Sequence, residues 1–218
     1  MKKKVIGLID GESGNIGSIK KAIKDIIKNR PYQLKVIKDD FNPMIFDKII
    51  LPGQGAYATL ISNLKKFRIY QPLKKYLESD SSYLGICVGM QLMFDFSLEK
   101  IKTSGFSWLS GNFKKIKTVG LDYLGRNFKV PHMGWNSLQF KYANHPILKN
   151  LDEKDQYYFV HSYYLEDNEK NQLIASTNYC HEIPAIVGKD NYIGVQFHPE
   201  KSSLSGQKLI SNWLKWQP

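Results

Sequence analysis

Cys87 is one of only two cysteines in the chain, and its neighbourhood Gly85-Ile86-Cys87-Val88-Gly89 has the form G-x-nucleophile-x-G. It stands between a strand-like run, Tyr83 to Ile86, and an apolar, helix-like run, Met90 to Phe96. That is the setting of a nucleophile elbow. Flanking glycines let the chain turn sharply, and the nucleophile is held at the strand tip in a strained backbone. A helix starting here would favour thiolate through its dipole. The backbone N–H of Val88 would face the oxyanion of a tetrahedral intermediate. The bland alternative is a buried structural cysteine.

A thiolate nucleophile needs a base, and the base needs a group that holds its tautomer. Of five histidines, His198 stands out, in Gly194-Val195-Gln196-Phe197-His198-Pro199-Glu200. Pro199 disfavours helix at His198. In extended chain, residues two apart point the same way, so His198 and Glu200 are expected to project together, leaving one ring nitrogen for Cys87. His132 and His161 sit among apolar and aromatic neighbours, in Pro131-His132-Met133-Gly134-Trp135 and Phe159-Val160-His161-Ser162-Tyr163. They read as structural histidines or as interface contacts. Three histidines with few flanking carboxylates make no zinc site, so no metal is expected. Cys180, in Asn178-Tyr179-Cys180-His181-Glu182, reads as a non-functional hairpin residue.

A second glycine loop, Leu51-Pro52-Gly53-Gln54-Gly55-Ala56, leaves a strand and opens a helix. It serves either as an ordinary tight turn or as a source of backbone N–H groups for an anion. Gly11, Gly14 and Gly17 also follow a strand, but their spacing is G-x-x-G-x-x-G. That favours turn and packing over dinucleotide binding.

Val5–Asp10, Leu34–Ile37, Lys48–Leu51 and Tyr83–Ile86 read as strands. Helices are expected from an Asn15 N-cap to about Lys28, from Ala56 to Lys66, and onward to Glu78. This alternation predicts an α/β fold, a mostly parallel central sheet flanked by helices. After Gly105 the runs Asn136–Phe140, Tyr157–His161, Leu173–Thr177, Ala185–Val187 and Tyr192–Phe197 predict an added mixed or antiparallel section. Gly206–Trp216 reads as a closing helix.

The 218 residues are 42% hydrophobic and 23% charged, the composition of a folded protein. Sparse cysteine argues against a disulfide scaffold and for a reducing, cytoplasmic setting. The apolar run after Met1-Lys2-Lys3-Lys4 ends at Asp10, too short for a signal or a membrane span. The net charge of +11 raises the prospect of a polyanion partner. The basic residues are scattered, however, which favours a solvated surface over a nucleic-acid-binding module.

Taken together, Gly85–Leu92 and Gln196-Phe197-His198-Pro199-Glu200-Lys201-Ser202 resemble the class I (triad) glutamine amidotransferases, whose fold is flavodoxin-like. Two further strings, Pro131-His132-Met133-Gly134-Trp135-Asn136 and Tyr158–Tyr163, are similar to those of the glutaminase subunits of imidazole glycerol phosphate synthase. The resemblance runs in order from Gly14-Asn15 to the last helix. It implies one glutaminase domain over residues 1–218, with Cys87, His198 and Glu200 as catalytic triad. It implies Val88 and Gly53 as oxyanion donors, the latter after a peptide flip triggered by a partner. It implies Gln91, Glu99, Ser162 and Tyr163 as contacts for glutamine, and no cofactor. The implied partner is the cyclase subunit HisF, a (β/α)₈ barrel, in a heterodimer. That subunit uses the ammonia to turn PRFAR into imidazole glycerol phosphate and AICAR. Gln54 departs from the family's usual P-G-V-G loop, Asp10–Asn15 from its usual opening, and Lys117–Val130 is long. The runner-up is a paralogous glutaminase feeding a sugar amidotransferase of surface polysaccharide synthesis. A stand-alone cysteine hydrolase and a silent regulatory subunit are further alternatives.

Overall fold

The structure, a computed structural model, describes residues 3–12, 15–79, 81–121, 124–166 and 169–217. The first half alternates strand and helix: β1 (Lys4–Ile9), α1 (Ile16–Ile27), β2 (Tyr32–Ile37), β3 (Lys48–Gly53), α2 (Tyr57–Lys66), α3 (Tyr70–Leu77), β4 (Ser82–Cys87) and α4 (Val88–Gln91). Then come β5 (Phe96–Ser97), β6 (Thr103–Ser104), β7 (Asn112–Lys115), β8 (His132–Ser137), β9 (Gln139–Phe140), β10 (Gln156–His161) and β11 (Tyr163–Glu166). The chain closes with β12 (Leu173–Tyr179), β13 (His181–Lys189), β14 (Tyr192–Val195) and α5 (Ser203–Lys215).

Among the described residues the main sheet has eight strands in the order β2-β1-β3-β4-β14-β13-β12-β9. From β2 to β14 every pairing is parallel; from β14 to β9 every pairing is antiparallel. Every residue of β3 and β4 is buried, as expected of parallel strands covered on both faces. The cover is amphipathic. Helix α1 buries Ile19 and Ile23, and α5 buries Leu209, Ile210, Trp213 and Leu214. Each such side chain contributes about 1.5–3 kcal/mol through its removal from water. Helix α1 packs on α5, and α2 on α3. Two small sheets, β10-β8 and β11-β7-β5-β6, complete the section after α4.

The expected architecture is therefore present, with three local differences. The apolar run after Cys87 is helical only to Gln91. The run is buried all round, and the 105–109 segment folds back over it. Its N–H groups bond the carbonyls of Leu92, Met93, Phe94 and Asp95, which ends the helix at one turn. So short a helix has little dipole to offer. The strand expected from Asn136 begins at His132, because β8 pairs with β10 along its whole length. Asn15 stands at the start of α1 but its side chain makes no cap bond. Gly11 packs tightly, since a Cβ there would lie 2.7 Å from Leu60 Cδ1. Gly14 lies outside the described residues.

Candidate active site

Strand β4 delivers Cys87 at its last position, with φ 53° and ψ −112°, a sparsely populated conformation for a residue with a side chain. The surrounding glycines make the turn possible by close approach. A Cβ on Gly89 would lie 1.8 Å from the Leu51 carbonyl oxygen, and one on Gly85 would lie 2.6 Å from that of Gly89. Tyr83 Oη donates to the Gly89 carbonyl at 2.9 Å, fixing the far side of the turn. The strain is thus held by buried packing, as an elbow requires.

His198 arrives from the neighbouring strand. Strand β14 runs parallel to β4, with Val195 in register with Ile86, and His198 follows three residues later. Its backbone is extended ahead of Pro199, and its N–H donates to the Tyr158 carbonyl at 2.9 Å. Ser202 Oγ donates to the His198 carbonyl and accepts from Tyr158 N–H, tying the turn to β10. Glu200 meets the ring by a different route from the expected one. Pro199–Lys201 form a 3₁₀ turn, and that turn, not extended chain, brings Glu200 Oε1 to 2.9 Å from His198 Nδ1. Both side chains are buried.

His198 Nε2 is buried without a hydrogen-bond partner. The Cys87 sulfur stands near enough to act on the ring electrostatically, although no bond of normal geometry joins them. Burial works against a charged ring, but the influence of Cys87 and then Glu200 outweighs it, and the His198 pKa is pushed up to about 10. The imidazolium form is therefore favoured at neutral pH.

Cys87 and His198 open onto one cavity of about 430 Å³, within the usual span of about 300–1,000 Å³ for small-molecule sites. Its wall includes Val88, Gln91, Glu99, Ser162 and Tyr163, together with Gln54, Gly55 and Lys201. A larger open depression, between Phe41 and Glu78, carries neither cysteine nor histidine in its lining. The structure thus gathers eight of the nine expected site residues: seven line the cavity, and Glu200 stands behind His198. Gly53 lies beside Cys87 in the β3–β4 register, but its Cα faces Leu60, Gly89 and Val88, and Gln54 and Gly55 form the wall instead. Glu99 has a second engagement, since its Oε2 accepts from Tyr57 N–H at 2.7 Å, at the positive N-terminus of α2. With burial acting first, Glu99 also helps to raise the Tyr163 pKa.

His132 and His161 form a buried pair, Nδ1 to Nε2, at 3.0 Å. His161 Nδ1 faces the Tyr163 carbonyl at 2.8 Å. A carbonyl only accepts, so that nitrogen carries the proton and His161 Nε2 accepts from His132. Burial, then the second imidazole, lowers His132 to about 3; burial lowers His161 to about 4, with His198 adding to it. Both rings are neutral, and His161 lines the cavity. Among the described residues no three His, Cys, Asp or Glu side chains gather as a metal would need.

Two residues that sequence reasoning missed touch the central groups. Gln196 Nε2 donates to Cys87 Sγ at 3.6 Å, and Gln196 Oε1 accepts from Gln91 Nε2 at 3.2 Å. Gln196 stands two residues before His198, so strand alternation carried a signal for it. Asn15 Nδ2 donates to Glu200 Oε1 at 2.6 Å, and no local pattern announces that contact.

A thiol on a strained turn, an imidazole backed by a buried carboxylate and a small polar cavity have the layout of a cysteine hydrolase acting on amides. Comparison with known proteins narrows the class. Residues 13–216 match the family "Glutamine amidotransferase class-I". Among solved structures, PurLQS from Thermotoga maritima superposes with a TM-score of 0.70 at 16% identity, covering 98% of each chain. A glutamine amidotransferase superposes with a TM-score of 0.65 at 14% identity, over 96% of this chain and 97% of the other. At those identities the likeness is one of fold. The chain belongs to the class-I glutamine amidotransferase family. Within it, this chain is 42% identical over 209 residues to the imidazole glycerol phosphate synthase subunit HisH of Caldanaerobacter subterraneus subsp. tengcongensis, covering 96% of this chain and 97% of that one. It is 38% identical over 216 residues to the subunit of the same name from Bacillus subtilis, covering 97% and 96%.

Proposed function

We propose that this chain is the glutaminase subunit of an imidazole glycerol phosphate synthase, acting in histidine biosynthesis. The observation that carries the chemistry is Cys87, strained at the mouth of a cavity it shares with a His198 held by Glu200. The thiolate attacks the side-chain carboxamide carbon of glutamine. The developing oxyanion is met by the N–H of Val88 and, after reorientation of the 53–55 loop, by a second backbone N–H from Gly53 or its neighbour Gln54. Imidazolium His198 protonates the leaving nitrogen, and ammonia departs from a glutamyl thioester. Neutral His198 then takes a proton from water, which adds to the thioester carbonyl and releases glutamate and the thiol. Glu200 keeps Nδ1 as the proton-bearing nitrogen throughout. Gln91, Glu99, Ser162 and Tyr163 hold the glutamine. The reaction as written needs no cofactor.

Ammonia in bulk water at neutral pH is protonated and loses its lone pair, so the product is handed over inside a complex. In this reading the partner is the HisF cyclase, a (β/α)₈ barrel, which joins the nitrogen to PRFAR. Its docking face includes Met133 and Trp135, which are 61% and 53% exposed beside the catalytic cavity. Residues 1–218 act as one glutaminase domain, supported by a single continuous core. No helix among the described residues is long and apolar enough to cross a membrane, and a cytoplasmic setting is part of the same reading. The HisH name carried by full-length relatives supports this acceptor over the sugar-modifying paralogue.

The test is glutamate release from glutamine by the chain alone and with the cyclase and its ligand. Low turnover alone, a rise with the partner, and imidazole glycerol phosphate as product are expected. Full activity in Cys87→Ser would overturn the nucleophile assignment.

A further inference from the structure

We infer that Asn15 is a positioning residue of the catalytic group, holding Glu200 so that Glu200 can hold His198. This rests on the glutaminase reading and deepens it. The residue stands where an N-cap belongs, at the start of α1, and Asn is among the best capping side chains. Yet its side chain bonds no backbone N–H of its own helix. It reaches across 185 residues to Glu200 Oε1, at 2.6 Å.

The state of Glu200 shows what the contact is for. Its side chain is fully buried. One oxygen, Oε1, takes both hydrogen bonds, from His198 Nδ1 and from Asn15 Nδ2. The other, Oε2, has no partner. Among the described residues His198 is the only ionisable group bonded to this carboxylate. Asn15 is thus the one neutral donor on a buried charge, and it bonds the very oxygen that the catalytic imidazole uses. Without it the carboxyl group has a single anchor and is free to turn about its last torsion, exchanging Oε1 for the unpartnered Oε2. The imidazole then loses its fixed orientation toward Cys87. Helix α1 is a sound support for this task, being pinned through Ile19 and Ile23 to the core and packed on both α5 and the Pro199–Lys201 turn.

The substitution that separates positioning from mere structure is Asn15→Asp. Aspartate has the same shape, caps helices as well as asparagine and places a favourable negative charge at the N-terminus of α1. A structural role predicts an Asp variant that melts at or above the wild-type temperature and turns over normally. A positioning role predicts loss, because a donor is replaced by an acceptor facing Glu200. Steady-state glutamine hydrolysis should be measured for wild type, Asn15→Asp, Asn15→Ala and Cys87→Ala, each in complex with the cyclase, with a thermal melt of each. We expect kcat to fall about 10- to 100-fold in both Asn15 variants, the weight of a hydrogen bond to a charged group, with KM changed less than threefold. Wild-type kcat in Asn15→Asp, or a loss that falls on KM alone, would overturn the assignment to Asn15. Undiminished turnover in Cys87→Ala would instead overturn the glutaminase reading, so the two failures are told apart.

Discussion

The chain contains two cysteine–histidine pairs, and they differ in instructive ways. Cys180 Sγ lies 3.1 Å from His181 Nδ1, and Cys180 has a positive φ of 55°, much like the 53° of Cys87. Proximity and backbone strain are therefore common to both. The surroundings are not. Cys180 sits in the β12–β13 hairpin, partly exposed; burial, offset in part by backbone N–H groups, raises its thiol pKa. His181 Nε2 is buried without a partner, and among the described residues no carboxylate bonds that ring. His198 has Glu200 on Nδ1 and lines, with Cys87, a common cavity. A sulfur beside an imidazole becomes a reactive pair only when a third group fixes the ring's proton and a pocket admits a substrate.

The contrast can be broken most sharply at the sulfurs themselves. Cys87→Ala should lower glutamate production by on the order of 10⁴-fold or more, whereas Cys180→Ala should leave kcat within twofold, both read by coupled glutamate assay. Removing the third group comes next. Glu200→Gln keeps the shape and loses the charge, and should lower kcat by about 10³-fold with little change in melting temperature.

The imidazoles supply a subtler test. His198 is raised from an ordinary 6.5 to about 10. A raised folded-state value contributes stability that is fully present below pH 6.5 and is lost as pH climbs toward 10. Urea midpoints of the wild type should therefore fall across that window, and the slope should flatten in Cys87→Ala, which lacks the sulfur that helps to raise His198. Imidazole NMR that finds His198 titrating near 6.5 in the wild type would break the comparison. The smallest effect is expected at the other pair. His181→Asn should leave turnover unchanged and move the unfolding free energy by no more than about 1 kcal/mol, measured in denaturant.

These outcomes bear on how far the residues alone disclose the site. The elbow was legible because its constraint is local, with both glycines within two residues of Cys87. The His198–Glu200 pair was legible for the same reason, although a 3₁₀ turn and not extended chain joins them. The parallel half of the sheet could be read from continuous apolar strands with loops and helices between. What escaped is long in sequence and short in space. Asn15 looked like an ordinary cap, and nothing in Asp10–Gly17 points to residue 200. Gln196 has no visible task in its string, since its partners, Cys87 and Gln91, lie more than a hundred residues away. The length of α4 is not legible in the sequence, because a run buried on all sides has no helical stripe, and the backbone of 105–109 decides where it stops. Gly53 comes from the resemblance alone; it pairs with Cys87 in the β3–β4 register, while its neighbours Gln54 and Gly55 line the cavity.

The strand that carries the sulfur and the strand that leads into the ring are adjacent and in register, zipped together by main-chain bonds. Their spacing is consequently set by the rungs of a ladder, and distant events have little purchase on it. A docking protein can alter such an enzyme more readily at its rim, where Gln54 and Gly55 line the cavity, than at its chemical centre. Regulation would then behave like a shutter before a fixed lens.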